Sequence, residues 1–226
     1  MLVVIYFGGF IGCEKMFDVD ATPVGSKIDS LQKSTNPTVL PGSYKEQVLY
    51  MTCYTVDPDS IRVVESIAPN KPFKISIADF ASRVDALRQS TEIATISVIG
   101  HSYGGWAAMK FISLLSASWN FEGLITIDPI SRVTCTPEAF VSQVFNRAPG
   151  CVDSPKDFDD TTMRYIAQLA KKWQNFYQAK DPWLRSAPIS GAENILVNFD
   201  GAADKAHVGI LDTPQLIAGV KSLVSR

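Results

Sequence analysis

Five residues, Gly100-His101-Ser102-Tyr103-Gly104, set a serine between two glycines at a G-x-S-x-G spacing. A serine at a sharp strand-to-helix turn is held in a strained backbone conformation, and its hydroxyl stands clear at the sheet edge. The residues two before and two after, Gly100 and Gly104, must be small or they collide across the turn. The backbone N–H of Tyr103, just after the serine, then points to where an oxyanion would form. The chemistry on offer is nucleophilic attack on an acyl carbonyl.

A serine hydroxyl is a poor nucleophile near neutral pH and needs a base, and the base needs a carboxylate to fix its tautomer. The chain has 2 histidines. His101 lies inside the turn, where its side chain points away from the hydroxyl, so His207 is the candidate base. Asp128, Asp200 and Asp204 all satisfy the order Ser, Asp, His, and stand as candidate acids.

The elements that must hold these residues can be read around them. ISVI before Gly100 has the signature of a buried strand, and Trp106 to Leu115 is apolar nearly all round, as a buried helix is. Ser76 is a candidate N-cap with Asp79 three residues on, and Ile77, Phe80, Val84 and Leu87 share one helical face. Gly123 to Ile127 is another strand, ending at Asp128-Pro129. Strand, helix, strand with short joints is a βαβ unit and implies a parallel sheet. Further strands are expected at Leu2 to Phe7, Val48 to Tyr54 and Asn194 to Phe199; Asp57 to Pro72 is ambiguous, with Ile61 to Val64 either a strand or the start of a helix. Helices are expected near Ser26 to Gln32, over Asp157 to Gln178 with Ser154, Pro155 and Asp157 at its start, and over Thr213 to Val224. Met163, Ile166, Ala170, Trp173 and Tyr177 form the inner stripe of the second. Since His207 follows Asp200 only seven residues later, no further strand fits between them, and NILVNF is itself the strand that leads to the histidine.

With its elbow between a buried strand and a buried helix, the chain resembles the α/β-hydrolase superfamily, in its esterase and lipase branch. The resemblance implies an α/β fold, a mostly parallel sheet flanked by helices on both faces, in a trimmed form that begins at what looks like the third strand of the usual eight. It implies one domain over 1–226, with a small lid-like insertion around 131–193. It places the base where His207 lies. Most members carry the acid at the end of the strand before the last; a minority branch, including pancreatic-type lipases, carries it one strand after the nucleophile, as ITIDPI does here. Asp128 is therefore preferred. The loop after the first strand, Gly8-Gly9, would supply the second oxyanion donor from Phe10, with Ile11 in reserve. Trp173, Phe176, Tyr177 and Trp183 fall where this fold often covers its site; Trp173, Tyr177 and Trp183 are the pocket candidates.

The activity implied is hydrolysis of carboxylic esters or thioesters through an acyl-enzyme. The alternatives are acyl transfer by the same triad and a hydrolase-shaped binding module. The substrate would be a small-molecule or lipid acyl compound, with no metal and no cofactor required. The 226 residues, 46% apolar with net charge −2, fit one core and carry no basic block of the kind nucleic acid needs. No apolar run reaches the ~18 to 20 residues of a membrane span. The opening MLVVIYFGGFIGC could be read as an export signal ending in a lipoprotein-like box, but it lacks a basic start and is read as a core strand. Of the 4 cysteines, Cys135 and Cys151 bracket one loop-rich segment and are the expected pair, while Cys13 and Cys53 are read as buried thiols. A Cys135–Cys151 bridge favours an extracytoplasmic location, its absence a cytoplasmic one.

Overall fold

A computed structural model describes residues 2–9, 47–55, 57–65, 68–89, 95–136, 138 and 148–224. Eight strands form one sheet, in the order β4-β3-β2-β1-β5-β6-β7-β8. They are β1 (Leu2–Phe7), β2 (Gln47–Tyr54), β3 (Ser60–Glu65), β4 (Ala68–Ser76), β5 (Thr95–His101), β6 (Asn120–Ile127), β7 (Trp173–Tyr177) and β8 (Glu193–Leu196). From β2 through β1, β5, β6 and β7 to β8 every pairing is parallel. The chain thus enters the sheet near its centre, and the antiparallel strands β3 and β4 complete the edge beyond β2.

The helices are α1 (Ile77–Gln89), α2 (Tyr103–Leu114), α3 (Asp160–Leu169), the single turn α4 (Ala206–Gly209) and α5 (Pro214–Val224). They cover both faces. On one, α1, α2 and α3 bury Phe80, Phe111 and Ile166 against Val3, Ile5, Phe7, Ile96 and Val98 of the sheet. On the other, Leu216, Val220 and Leu223 of α5 pack over Ile99, Ile125, Ile127 and Phe176. The period-2 alternation of strand side chains separates the two sets, so Phe7 and Tyr6 fall in different cores. No helix among the described residues is long and apolar enough to cross a membrane.

Local signals hold where they are strong. Ser76 caps α1 as its spacing predicts: the Asp79 N–H donates to Ser76 Oγ (2.9 Å), and Ser76 Oγ–H donates to Asp79 Oδ2 (2.7 Å). Leu2–Phe7 is a central strand, as expected, and Thr213 to Val224 is helical but for its first residue.

The expected helix over Asp157 to Gln178 is corrected. Only Asp160–Leu169 is helical, capped by Asp159, whose Oδ1 accepts the Thr162 N–H at 2.7 Å. Lys171, at φ 35°, turns the chain into the left-handed region, and Trp173–Tyr177 is then a strand. A parallel strand buried on both faces shows no alternation, so WQNFY continued a helical spacing by accident. It follows that residues 131–193 are not all an insertion: α3 packs on α2, and β7 is part of the central sheet. Strand β4 was also missed. Pro69 and Pro72 argue against a strand, but an edge strand leaves half its N–H groups outside the ladder and tolerates proline. The expected helix at Ser26 to Gln32, and Cys13, lie outside the described residues.

Candidate active site

Strand β5 delivers Ser102 to the start of α2 at φ 58° and ψ −128°, a positive-φ conformation that a non-glycine residue holds only under constraint. The constraint is visible. The Ser102 N–H donates to the Ile127 carbonyl (2.9 Å), and the Ser102 carbonyl accepts the N–H of Gly105 (2.9 Å) and of Ile130 (3.2 Å). The elbow is therefore laced to the end of β6. A Cβ on Gly100 would stand 2.4 Å from the Gly104 carbonyl oxygen, and one on Gly104 would stand 2.0 Å from that of Phe7. The first is the collision across the turn that the sequence spacing implies; the second is with the end of β1.

Three side chains meet there. His207 Nε2 lies 2.8 Å from Ser102 Oγ, and His207 Nδ1 lies 2.7 Å from Asp128 Oδ2. All three are buried, Asp128 completely. A carboxylate accepts, so Nδ1 carries the hydrogen and Nε2 is left to accept from the serine hydroxyl. Asp128 ends β6 at φ 44°, a left-handed conformation that aspartate tolerates better than most residues. Its carboxylate is fully employed: Oδ1 accepts the Ser186 N–H (2.7 Å) and Oδ2 accepts the Gln178 side-chain N–H (2.8 Å) besides the imidazole. Asp200 and Asp204, the other candidate acids, are exposed on the approach to α4 and do not bond the ring.

Gln178 was not singled out by sequence. It follows β7 directly, and its amide spans two loops: Nε2 also donates to the Leu184 carbonyl (2.9 Å), while Oε1 accepts the N–H of Lys180 (2.8 Å) and of Asp181 (2.7 Å). Reading WQNFY as a strand would have exposed it, because the residue after that strand falls beside Asp128.

The second histidine, set aside as the base, is not idle. The buried His101 ring donates Nε2–H to the His207 main-chain carbonyl (2.9 Å), and the two rings lie 5.0 Å apart. Burial, with the neighbouring His207 second, pushes the His101 imidazole down to about 3.

The Tyr103 N–H opens α2 next to Ser102. Gly9 passes so close that a Cβ there would come within 2.9 Å of Ser102 Cβ. Phe10 and Ile11, the expected second donors, lie outside the described residues. Of the pocket candidates, Trp173 is corrected: it is buried core near the start of β7, its Nε1–H donating to Thr126 Oγ1 (3.1 Å), at the end of the sheet remote from Ser102. Tyr177 and Phe176 lie on the same strand rather than on a helix, Phe176 within the α5 core. Trp183 is 42% exposed on the loop that brings the Leu184 carbonyl to Gln178 and the Ser186 N–H to Asp128. Cys135 and Cys151 form the expected disulfide, buried against Tyr103 and Ile130. Among the described residues no three His, Cys, Asp or Glu side chains gather as a metal site would need.

The sheet order and the serine elbow at the end of its fifth strand define an α/β-hydrolase fold. No family model and no curated protein matches the chain. Solved structures are similar only at a distance. The carboxylesterase CesB of Bacillus subtilis is 13% identical, covering 98% of this chain and 83% of its own, with a TM-score of 0.48. Est1E of Butyrivibrio proteoclasticus is 13% identical over 98% and 85%, also at 0.48. The type II thioesterase BorB, from the borrelidin biosynthetic cluster, is 13% identical over 100% and 93%, at 0.44. With TM-scores below 0.5 these likenesses bear no weight for activity; the reading rests on the chain's own residues.

Proposed function

We propose that the chain is a serine hydrolase that cleaves carboxylic esters or thioesters through an acyl-enzyme. The observation that carries this reading is the unbroken line Ser102 Oγ, His207 Nε2, His207 Nδ1, Asp128 Oδ2, with contacts of 2.8 and 2.7 Å. Ser102 Oγ attacks the acyl carbonyl as its proton passes to His207 Nε2. The buried Asp128 carboxylate holds the ring in the tautomer that can accept that proton and stabilises the imidazolium that results. The developing oxyanion is received by the Tyr103 N–H, a donor of a kind worth on the order of 3 kcal/mol. His207 then protonates the leaving group, and a water activated by the same ring releases the acyl chain. No step calls on a metal. The buried disulfide favours an oxidising, extracytoplasmic compartment.

Short p-nitrophenyl esters and thioesters test the reading, together with labelling by a fluorophosphonate. Wild type should turn over and label, and Ser102→Ala should do neither while keeping its circular dichroism. A folded wild type that neither hydrolyses nor labels would sink the reading and leave a binding module in its place. Product analysis with an added alcohol separates hydrolysis from acyl transfer.

A further inference from the structure

His101 is peptide-bonded to Ser102, yet its side chain reaches the other arm of the site. Its Nε2–H donates to the main-chain carbonyl of His207 at 2.9 Å, and its ring lies against the His207 ring at 5.0 Å between centroids, tilted by 33°. Both side chains are buried. A carbonyl can only accept, so the hydrogen is on Nε2. We infer that His101 is a positioning residue: a neutral donor that braces the backbone of His207 to the serine elbow. The inference rests on the reading of Ser102 and His207 as nucleophile and base.

The need for a brace comes from the element that carries His207. The turn α4 is four residues long, between the short 3-10 turns Ala203–Lys205 and Ile210–Asp212. A run of single turns has little stability of its own. The two bonds made by the His207 ring orient the imidazole, but they do not fix the main chain that bears it. His101 does, and because its own backbone continues into Ser102, nucleophile and base are held in one frame. A displacement of about 1 Å between reacting groups costs on the order of a hundredfold in rate.

The chemistry also explains why the brace is a neutral ring. When Ser102 gives up its proton, His207 becomes a cation, 5.0 Å from the ring of His101. A lysine or arginine at 101 would oppose that charge. Burial and the neighbouring His207 keep the His101 ring neutral; the attraction of Asp128 and the bond to the carbonyl act the other way and are outweighed.

Two variants separate donor from bulk. His101→Leu keeps volume and removes the N–H; His101→Gln puts an amide N–H near the same place. With an ester substrate, His101→Leu should lose about tenfold to a hundredfold in kcat, with KM within about threefold, and His101→Gln should regain most of that loss. Equal rates in wild type and both variants overturn the brace. So does an equal loss in both, which would mean that ring shape and not the donor matters. Ring-nitrogen NMR of the intact wild type decides independently of turnover: the brace requires a neutral His101 ring with its hydrogen on Nε2 at about pH 7, and a ring that carries its hydrogen on Nδ1 excludes it. If wild type neither hydrolyses nor labels, the reading of Ser102 has failed by itself, and the NMR result alone keeps or discards the contact. If His101→Leu does not fold, His101→Gln and the NMR still decide.

Discussion

At the scale of single residues, Asp128 carries a test that no neighbouring acid can rescue. It is completely buried, and its two oxygens accept from His207, Gln178 and Ser186. Asp128→Asn keeps size but offers an amide N–H or a weak carbonyl to His207 Nδ1, and selects the wrong tautomer. The expected result is a fall in kcat of about 10⁴-fold with the fold retained. Gln178 should behave more mildly. Gln178→Leu removes one of the donors on Asp128 Oδ2 and both bonds that its Oε1 accepts, and should cost about tenfold in kcat; steady-state kinetics beside thermal denaturation separates the two effects. The difference in legibility between these residues has a physical source. Ser102 announces itself by the glycines its turn demands, and His207 was the one eligible imidazole. Asp128 followed from the short spacing before His207 and from a resemblance. Gln178 has no motif of its own: it becomes visible only once WQNFY is read as a strand, because the groups that its buried amide meets come from β6 and from the loop after β7.

At the scale of elements, strong local chemistry was readable and marginal chemistry was not. The helix α1 was plain because cap and periodicity agree, and α2 because it is apolar nearly all round. Strand β7 was hidden by aromatics at helical spacing, and β4 by its prolines. The disulfide is the element-scale device with a consequence for the site. The Cys135 carbonyl accepts from the Tyr103 hydroxyl, and the Cys151 carbonyl accepts the Arg185 N–H (2.9 Å), one residue before the Ser186 N–H that holds Asp128. The bridge therefore ties the proposed oxyanion donor and the acid's clamp to one staple. Cys135→Ala with Cys151→Ala should lose about 2–4 kcal/mol of stability, a drop in Tm on the order of 5–10 °C. It should also lower kcat severalfold at temperatures well below melting. Scanning calorimetry and ester kinetics on the same preparation check both; a lowered Tm with an unchanged kcat would leave the bridge a purely structural staple.

Across the whole molecule, two cores on opposite faces of the sheet flank a site where strand ends, elbow and histidine loop converge, and a buried basic group in that site, His101, sets a limit on acid stability. The His101 imidazole sits at about 3 in the folded chain, against an ordinary value of about 6.5 once exposed. Its folded value is depressed, so between those two pH values the unfolded chain binds a proton that the folded chain refuses. Above about 6.5 both states are neutral at this position and it has no effect. As pH falls from there toward 3, stability is lost at about 1.4 kcal/mol per pH unit from this one group, and below 3 the loss levels off. Asp159 acts in the same direction: its carboxyl is held below the usual range by the Thr162 backbone N–H and side chain, and that support fades as it protonates. The two separate by mutation. In His101→Gln the proton has nowhere to bind in either state, so urea denaturation at a series of pH values should show a shallower slope between pH 6 and 4 than wild type, by about one proton. Parallel slopes would mean that the folded chain already accommodates a charged ring at 101, and the neutral brace beneath His207 would fall with it.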